Sequence, residues 1–263
     1  MKILLISDLH GVIPDIKTED YDFVICAGDL SNTTGYREYI FDNWEKFVEG
    51  AELHEIIPQE EYIRLSKQRF ESMVKVLDWL NSLGKKVFLV YGNGDINRNT
   101  IKRLKWYEYK SMEDEVKKRE NLKLLKTSQA FFEDIQILGL SGYMSVRQRN
   151  DKKEISKFRK RLNRLFRYMD SEKTIIFLTH DVPYGKFDMV KNEGPLKGEQ
   201  IGNKHILEAI KKYQPNFHIC GHMHESRGQE KIGKTTVINP GDAKMNRYAV
   251  LEINKDGFNV IFH

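Results

Sequence analysis

The sequence predicts an α/β protein with layered sheets, and three observations carry that prediction. Short apolar runs rich in Ile, Val and Phe recur along the chain, helical patterns separate several of them, and polar residues collect where the runs end. Runs over 2–6, 23–27, 87–91, 135–140, 174–178, 217–220, 236–239 and 248–253 read as strands buried on both faces. Between the second and third, residues 60–83 set Phe70, Met73, Leu77 and Leu80 at helical spacing, and Gly84 stops the helix. Residues 154–169 repeat the pattern with Ile155, Phe158, Leu162, Leu165 and Met169. A third helix over 203–213 ends ahead of Pro215. Strands alternating with helices are the pattern of α/β folds.

No internal repeat, low-complexity tract or linker interrupts the chain, so 1–263 reads as a single domain. Two segments stand outside the strand–helix plan. One is an aromatic-rich helical insertion near 35–60, with Tyr36, Ile40, Trp44 and Phe47 on one helical face. The other is a basic helical segment near 147–170.

Composition narrows the function classes. With 40% hydrophobic and 31% charged residues over 263 positions, the chain can bury a sizeable core, which excludes collagen-like and wholly disordered classes. No apolar run approaches the roughly 18 residues of a membrane span. Two cysteines, Cys26 and Cys220, cannot build a disulfide framework and fit a reducing compartment, so a soluble cytoplasmic protein is expected. A net charge of +5 is too small to imply nucleic acid without clustering.

The chemistry lies where the strands end. The first runs into Asp8-Leu9-His10-Gly11, the second into Gly28-Asp29, and the third into Gly92-Asn93-Gly94-Asp95. The fifth runs into His180-Asp181 and the sixth into Gly221-His222-Met223-His224. Carboxyl ends of strands line the ligand crevice of layered α/β folds, so these groups could converge. Four imidazoles, two carboxylates and an amide would be costly to bury together, and one or two divalent cations offset that cost. The Asp8/His10 and His222/His224 pairs are spaced i, i+2, which puts both side chains on one side of extended backbone. Mixed nitrogen and oxygen donors suit Mn, Fe, Zn, Co or Ni better than Mg or Ca.

Asp8-Leu9-His10, Gly28-Asp29, Gly92-Asn93-x-Asp95, His180 and Gly221-His222-x-His224 resemble, in order and spacing, the five signature blocks of the calcineurin-like metallophosphoesterases. Thr179-His180-Asp181-Val182-Pro183-Tyr184-Gly185 and Asn239-Pro240-Gly241 look most like the Icc-related predicted phosphoesterases of that superfamily. The resemblance implies a four-layer sandwich of two mixed β-sheets flanked by helices. It implies two divalent transition-metal ions, one held by Asp8, His10, Asp29 and His224, the other by Asp29, Asn93, His180 and His222, with Asp29 bridging. It also implies hydrolysis of a small phosphate mono- or diester, a nucleotide among the candidates, by hydroxide held between the ions. In that scheme Asp29, Asn93, His180 and Asp95 carry catalysis and Asn93 also meets substrate.

One departure matters. Many relatives carry His after the Asn of the third block, where it meets the phosphate and can protonate the leaving group; here the position is Gly94. General acid catalysis is worth about 10²–10⁴-fold, so leaving groups of low pKa should suffer least. Arg98, in the following turn, is the candidate replacement phosphate contact, and Asp95 lacks its usual His partner.

Other residues have plainer readings. His218, inside a strand, reads as a satisfied core histidine, and Cys26 and Cys220 as small apolar fillers. The stretch from Arg147 to Arg167 holds ten basic residues against Asp151 and Glu154. Such a face could track a phosphate backbone as a nuclease would, but a solvated amphipathic helix is the preferred reading. The aromatic insertion could cap the site and stack a base; packing or a homodimer contact explains it equally well. A weakly active, metal-bearing interaction module is the remaining alternative.

Overall fold

The computed structural model describes residues 1–145 and 148–263. Twelve strands form two six-stranded sheets among the described residues. In chain order the strands are β1 (Lys2–Ile6), β2 (Phe23–Cys26), β3 (Val87–Leu89), β4 (Leu122–Leu124), β5 (Thr127–Phe132) and β6 (Ile135–Leu140). They continue as β7 (Thr174–Thr179), β8 (Phe217–Ile219), β9 (Gly228–Ile232), β10 (Thr235–Asn239), β11 (Ala249–Asn254) and β12 (Gly257–Phe262). One sheet has the order β12-β11-β1-β2-β3-β4 and the other β5-β6-β7-β8-β10-β9. Both are mixed: β1 to β4 run parallel, as do β6, β7, β8 and β10, while β11, β12, β5 and β9 join antiparallel.

Alternation along the central strands builds the layers. Ile3 and Leu5 of β1, Phe23 and Ile25 of β2, and Ile176 and Leu178 of β7 fill a shared core between the sheets. The opposite residues of β1, Leu4 and Ile6, face the long helix α4 (Gln59–Ser82), which buries Met73, Val76, Leu77 and Leu80 against them. Each such side chain contributes about 1.5–3 kcal/mol by leaving water. Gly84, just past the end of α4, takes the left-handed conformation (φ +64°) that a helix stop favours. On the far face, α7 (Lys152–Phe166) and α8 (Lys204–Tyr213) cover the second sheet with Phe158, Leu162, Leu165, Ile206 and Ile210. Asp151 caps α7 by accepting from Lys153 and Glu154 N–H, and Asn203 caps α8 through His205 and Ile206 N–H. The four layers expected from the sequence are therefore present.

The insertion differs in detail from the single helical face read in the sequence. It forms α1 (Thr34–Asp42), α2 (Trp44–Glu49) and α3 (Leu53–Ile56), broken at Asn43 and Gly50. Of its four expected face residues Tyr36 alone is buried; it sits with Ile57, Tyr62 and Leu65 in a small separate core. Two further short helices, α5 (Arg98–Ile101) and α6 (Met112–Val116), lie between β3 and β4. In the basic segment, α7 keeps its apolar stripe inward and its Lys and Arg mostly exposed; Arg147 lies outside the described residues. No helix among the described residues is long and apolar enough to cross a membrane.

Candidate metal centre

The parallel strands β1, β2, β3, β7 and β8 end on one rim, and that rim brings the sequence-predicted donors together. Asp8 and His10 follow β1, Asp29 follows β2, Asn93 and Asp95 follow β3, His180 follows β7, and His222 and His224 follow β8. One donor atom from each of Asp8, His10 and His224 lies within 4.8 Å of the others, and the same holds for Asp8, Asp29 and His180. His180 Nε2 and His222 Nδ1 both converge on Asn93 Oδ1, at 3.0 and 2.9 Å.

Strained turns do the aiming. Asp8, His10, Asp29 and His222 all sit in the left-handed region, at φ of 55°, 47°, 56° and 68°. Non-glycine residues there cost about 1–3 kcal/mol each and persist only where surrounding bonds over-determine them. Those bonds are present: Asp8 N–H donates to Gly28 O, His10 N–H to Asp29 O, and His222 N–H to Asp8 Oδ2. Gly92 has to be glycine, since a Cβ there would stand 2.1 Å from Asp29 Oδ1.

Hydrogen bonding fixes which imidazole nitrogen faces inward. The Ala27 carbonyl 2.8 Å from His180 Nδ1 can only accept, so Nδ1 carries a proton and neutral His180 presents a lone pair at Nε2. That lone pair faces Asn93 Oδ1 at 3.0 Å and Asp29 Oδ1 at 3.6 Å. His10 repeats the arrangement: Nδ1 is turned to Ser31 O at 3.3 Å, while Nε2 faces His224 Nε2 at 3.1 Å and carboxylate oxygens of Asp8 and Asp29 at 3.9 and 4.0 Å. Around His180 acceptors thus point at acceptors, which repel unless a cation lies between them. Two ligands about 2.1 Å from one ion stand about 3 Å apart at right angles and about 4 Å apart when opposed, the range seen here. Asp8 Oδ1, buried and 3.2 Å from His224 Nε2, makes no well-formed hydrogen bond among the described residues, a further orphan that an ion would satisfy. The donor set and the orphaned atoms therefore fit divalent cations.

Electrostatics agree with that fit. Burial by itself would raise the Asp8 carboxyl, but the His224, His180 and His10 imidazoles hold it well below the usual carboxylate range. Burial works to lower His180 and His224, yet Asp29 and Asp8 push His180 up and Asp8 pushes His224 up. His222, buried and beside His180, is lowered. The two carboxylates thus draw positive charge into the cluster.

Asp95 lies behind the donors and is not aimed among them. Its Oδ1 accepts from Leu30 N–H, Ser31 N–H and Ser31 Oγ–H, and its Oδ2 from Asp29 N–H and Gly92 N–H, all at 2.9–3.2 Å. Burial and the Asp29 charge raise its carboxyl, against the pull of those bonds. Arg98, expected near the phosphate, instead pairs with Asp114 at the protein surface, and a substrate contact would have to break that pair. Gly94 is not an empty slot awaiting a side chain. Its N–H donates to Asp29 Oδ1 at 2.7 Å, Arg69 Nε binds its carbonyl at 2.8 Å, and a Cβ would meet Thr33 at 3.0 Å and Asp29 Oδ1 at 3.1 Å.

Sequence reasoning missed several neighbours of the centre. A small cavity of about 150 Å³ is lined by His10 and His224 together with Arg37 of α1 and Lys244. Asn239 Nδ2 donates to Met223 O and so pins the His222–His224 turn, while Arg247 bridges Asp242 and His224 O. Tyr143 packs its ring 4.6 Å from that of His222. Arg37 and Lys244 carried no signal, since single cations in helical or loop sequence look like solvated charges.

His218 is buried beside the site with a satisfied Nε2. The Thr179 hydroxyl donates its one proton to Asp181 O at 2.7 Å, so the 2.8 Å bond from His218 must come from Nε2–H. Nδ1 has no partner. Burial pushes His218 down to about 3, against an ordinary 6.5. The unfolded chain therefore takes up a proton that the fold refuses, and stability falls as pH drops from about 6.5 toward 3. His218→Gln should flatten this dependence: between pH 6.5 and 4 its melting temperature is expected to fall less than that of the wild type. Parallel melting curves would show the dependence to lie elsewhere.

Comparison with known proteins points to one family and one fold. Residues 2–260 match the family described as metallophosphoesterase, calcineurin superfamily. An uncharacterized protein of Methanocaldococcus jannaschii is 26% identical over 97% of both chains, and a UPF0046 protein of Caenorhabditis elegans is 24% identical over 91% of this chain and 69% of its own. The crystal structure of a dimetal phosphatase from Danio rerio superposes with a TM-score of 0.56 at 10% identity, covering 99% of this chain and 98% of that one, and so shares the fold. With the match running almost end to end, the chain belongs to the calcineurin superfamily of metallophosphoesterases.

Proposed function

We propose that the protein is a metal-dependent phosphoesterase acting on a small phosphate mono- or diester. The observation that carries the reading is the inward lone pair of His180 Nε2, fixed by the Ala27 carbonyl and facing the Asn93 and Asp29 side-chain oxygens, beside the cluster of Asp8, His10 and His224. Asp8, His10, Asp29 and His224 would hold one ion, and Asp29, Asn93, His180 and His222 the other. Bound divalent ions supply a Lewis acid for the phosphoryl oxygens and acidify water at neutral pH.

The chain's own residues complete the pocket. Arg37 and Lys244 flank the His10–His224 side without a carboxylate partner among the described residues, the lining carboxylate Asp242 being paired with Arg247, and they would bind phosphoryl oxygens. Gly94 contributes its N–H to Asp29 and offers no proton to a leaving group. Phenolate esters and phosphoanhydrides, which depart without protonation, are therefore the favoured substrates.

The test is metal analysis joined to turnover. Protein reconstituted with Mn should retain two ions per chain and hydrolyse aryl phosphates or aryl phosphodiesters, with activity lost on chelation and regained on re-addition. Lys244→Ala should lower kcat/KM by roughly 10–100-fold, the loss of one hydrogen bond to a charged group. Fewer than two ions per chain, or turnover that survives chelation, would overturn the reading.

A further inference from the structure

A second cavity, of about 560 Å³, is lined by none of the candidate metal donors but includes Tyr91, two residues before Asn93, and Tyr143, which packs on His222. That volume falls within the roughly 300–1,000 Å³ of small-molecule sites. Tyr143 is the shared wall: it lines the cavity while its ring stands 4.6 Å from the His222 ring. Among the described residues the cavity is lined by four cations, Lys126, Lys157, Arg161 and Arg164, and by one carboxylate, Glu154. Lys126 pairs with Glu113 at 2.9 Å and Lys157 pairs with Glu154. Neither Arg161 nor Arg164 has a carboxylate partner among the described residues.

Arg161 is not a loose surface charge. Its Nε donates to Thr127 Oγ1 at 2.9 Å, and one terminal nitrogen donates to Lys126 O and Ser141 O at 2.9 and 2.6 Å. Ser141 Oγ accepts from Tyr91 N–H, and Gly142 N–H donates to Tyr91 O, at 3.1 and 3.0 Å. Tyr91 stands two residues before Asn93, so the Ser141–Gly142 turn holds both the cation, through Ser141 O, and the strand end that carries a candidate metal donor, through Ser141 Oγ and Gly142 N–H. Burial lowers the Arg161 guanidinium, which nonetheless stays charged. A fixed, partly desolvated cation facing no anion is costly unless a ligand supplies one.

We infer that this cavity is an anion subsite of the same pocket, and that the substrate is a small phosphate ester carrying a further phosphate or diphosphate group, bound by Arg161, Arg164 and Lys157. The inference rests on the phosphoesterase reading above for the position of the scissile phosphate, not for the cavity itself. A small molecule fits better than a polymer, because the immobilised Arg161 and its neighbours Lys157 and Arg164 line one concave pocket, whereas Arg159 and Lys160 of α7 do not line it.

Two measurements on the full chain test this, using Arg164→Gln/Lys157→Gln and, as control, Arg159→Gln/Lys160→Gln. In metal-free buffer, calorimetry with inorganic pyrophosphate should show binding weakened about tenfold or more in the cavity variant and unchanged in the control. With Mn, the preference for a nucleoside 3′,5′-bisphosphate over the 5′-monophosphate, as a ratio of kcat/KM, should fall about 10–100-fold in the cavity variant alone. Unchanged pyrophosphate binding, an equal loss in the control, or loss of oligonucleotide binding with no change in the bisphosphate ratio would overturn the inference. Pyrophosphate discrimination without hydrolysis of any ester would uphold the anion subsite while refuting the phosphoesterase reading.

Discussion

Asp95→Ala is expected to lower the melting temperature by about 10 °C and to weaken metal binding by about 10–100-fold, although Asp95 is not aimed into the donor cluster. Its carboxylate accepts from four backbone N–H groups and one hydroxyl, those of Asp29, Leu30, Ser31 and Gly92. Alanine would leave these donors buried and unpaired. A disrupted buried network of this kind costs about 3–5 kcal/mol, and each kcal/mol moves the midpoint of a chain this size by about 2–4 °C. The loss reaches the metal centre because the same N–H groups hold the turn that puts Asp29 at φ 56° and the strand end that carries Asn93. Asp95→Asn separates shape from charge: its amide oxygen can replace one acceptor, but its NH₂ would confront donors on the other side, so an intermediate loss is expected. Thermal melts and metal titrations of the two variants check this; a melting temperature unmoved in Asp95→Ala would show that the turn is held by other bonds.

How much of this was legible in the sequence follows from where each element sits. All eight strands read from apolar runs lie inside the sheets, where burial on both faces leaves a continuous hydrophobic signal, as in β1 and β2. The four that were missed, β4, β5, β9 and β12, are the four sheet edges. An edge strand is part exposed, and Gly228–Ile232, with Gln229, Glu230 and Lys231, keeps one buried residue of five. The donors were legible because strand-end Asp, Asn and His are rare enough to stand out from their apolar strands. The roles of Ala27 and Ser31 were not: they act through carbonyls, which every residue has. Nor were Arg37 and Tyr143, which reach the site from a helix and a connection remote in sequence. The insertion misled through its aromatic spacing, since Asn43 and Gly50 break it into short helices and three of its four face residues stay partly exposed.

Asp29→Ala should separate stability from function most sharply. Asp29 turns one oxygen toward each side of the cluster, with Oδ1 3.6 Å from His180 Nε2 and Oδ2 4.0 Å from His10 Nε2. Asp8 also stands near both sides, 3.9 Å from His10 Nε2 and within 4.8 Å of a His180 nitrogen, but Asp29 is the donor shared by both proposed ion positions, so alanine removes a donor from each at once. Turnover should fall by at least about 10³-fold, since metal activation supplies several kcal/mol of transition-state stabilisation and each 1.4 kcal/mol is tenfold. Retained metal should drop below two ions per chain. In metal-free protein the balance reverses. The Asp29 side chain makes one hydrogen bond to backbone, from Gly94 N–H, and stands buried near Asp8 and Asp95, where its charge raises the Asp95 carboxyl. Removing that repulsion should offset the lost bond, so the metal-free variant is expected to melt no lower than metal-free wild type. Centres built to hold cations store repulsion that the ions relieve. A variant that melts well below the metal-free wild type would assign Asp29 to the scaffold, and one that keeps its turnover would remove it from the chemistry.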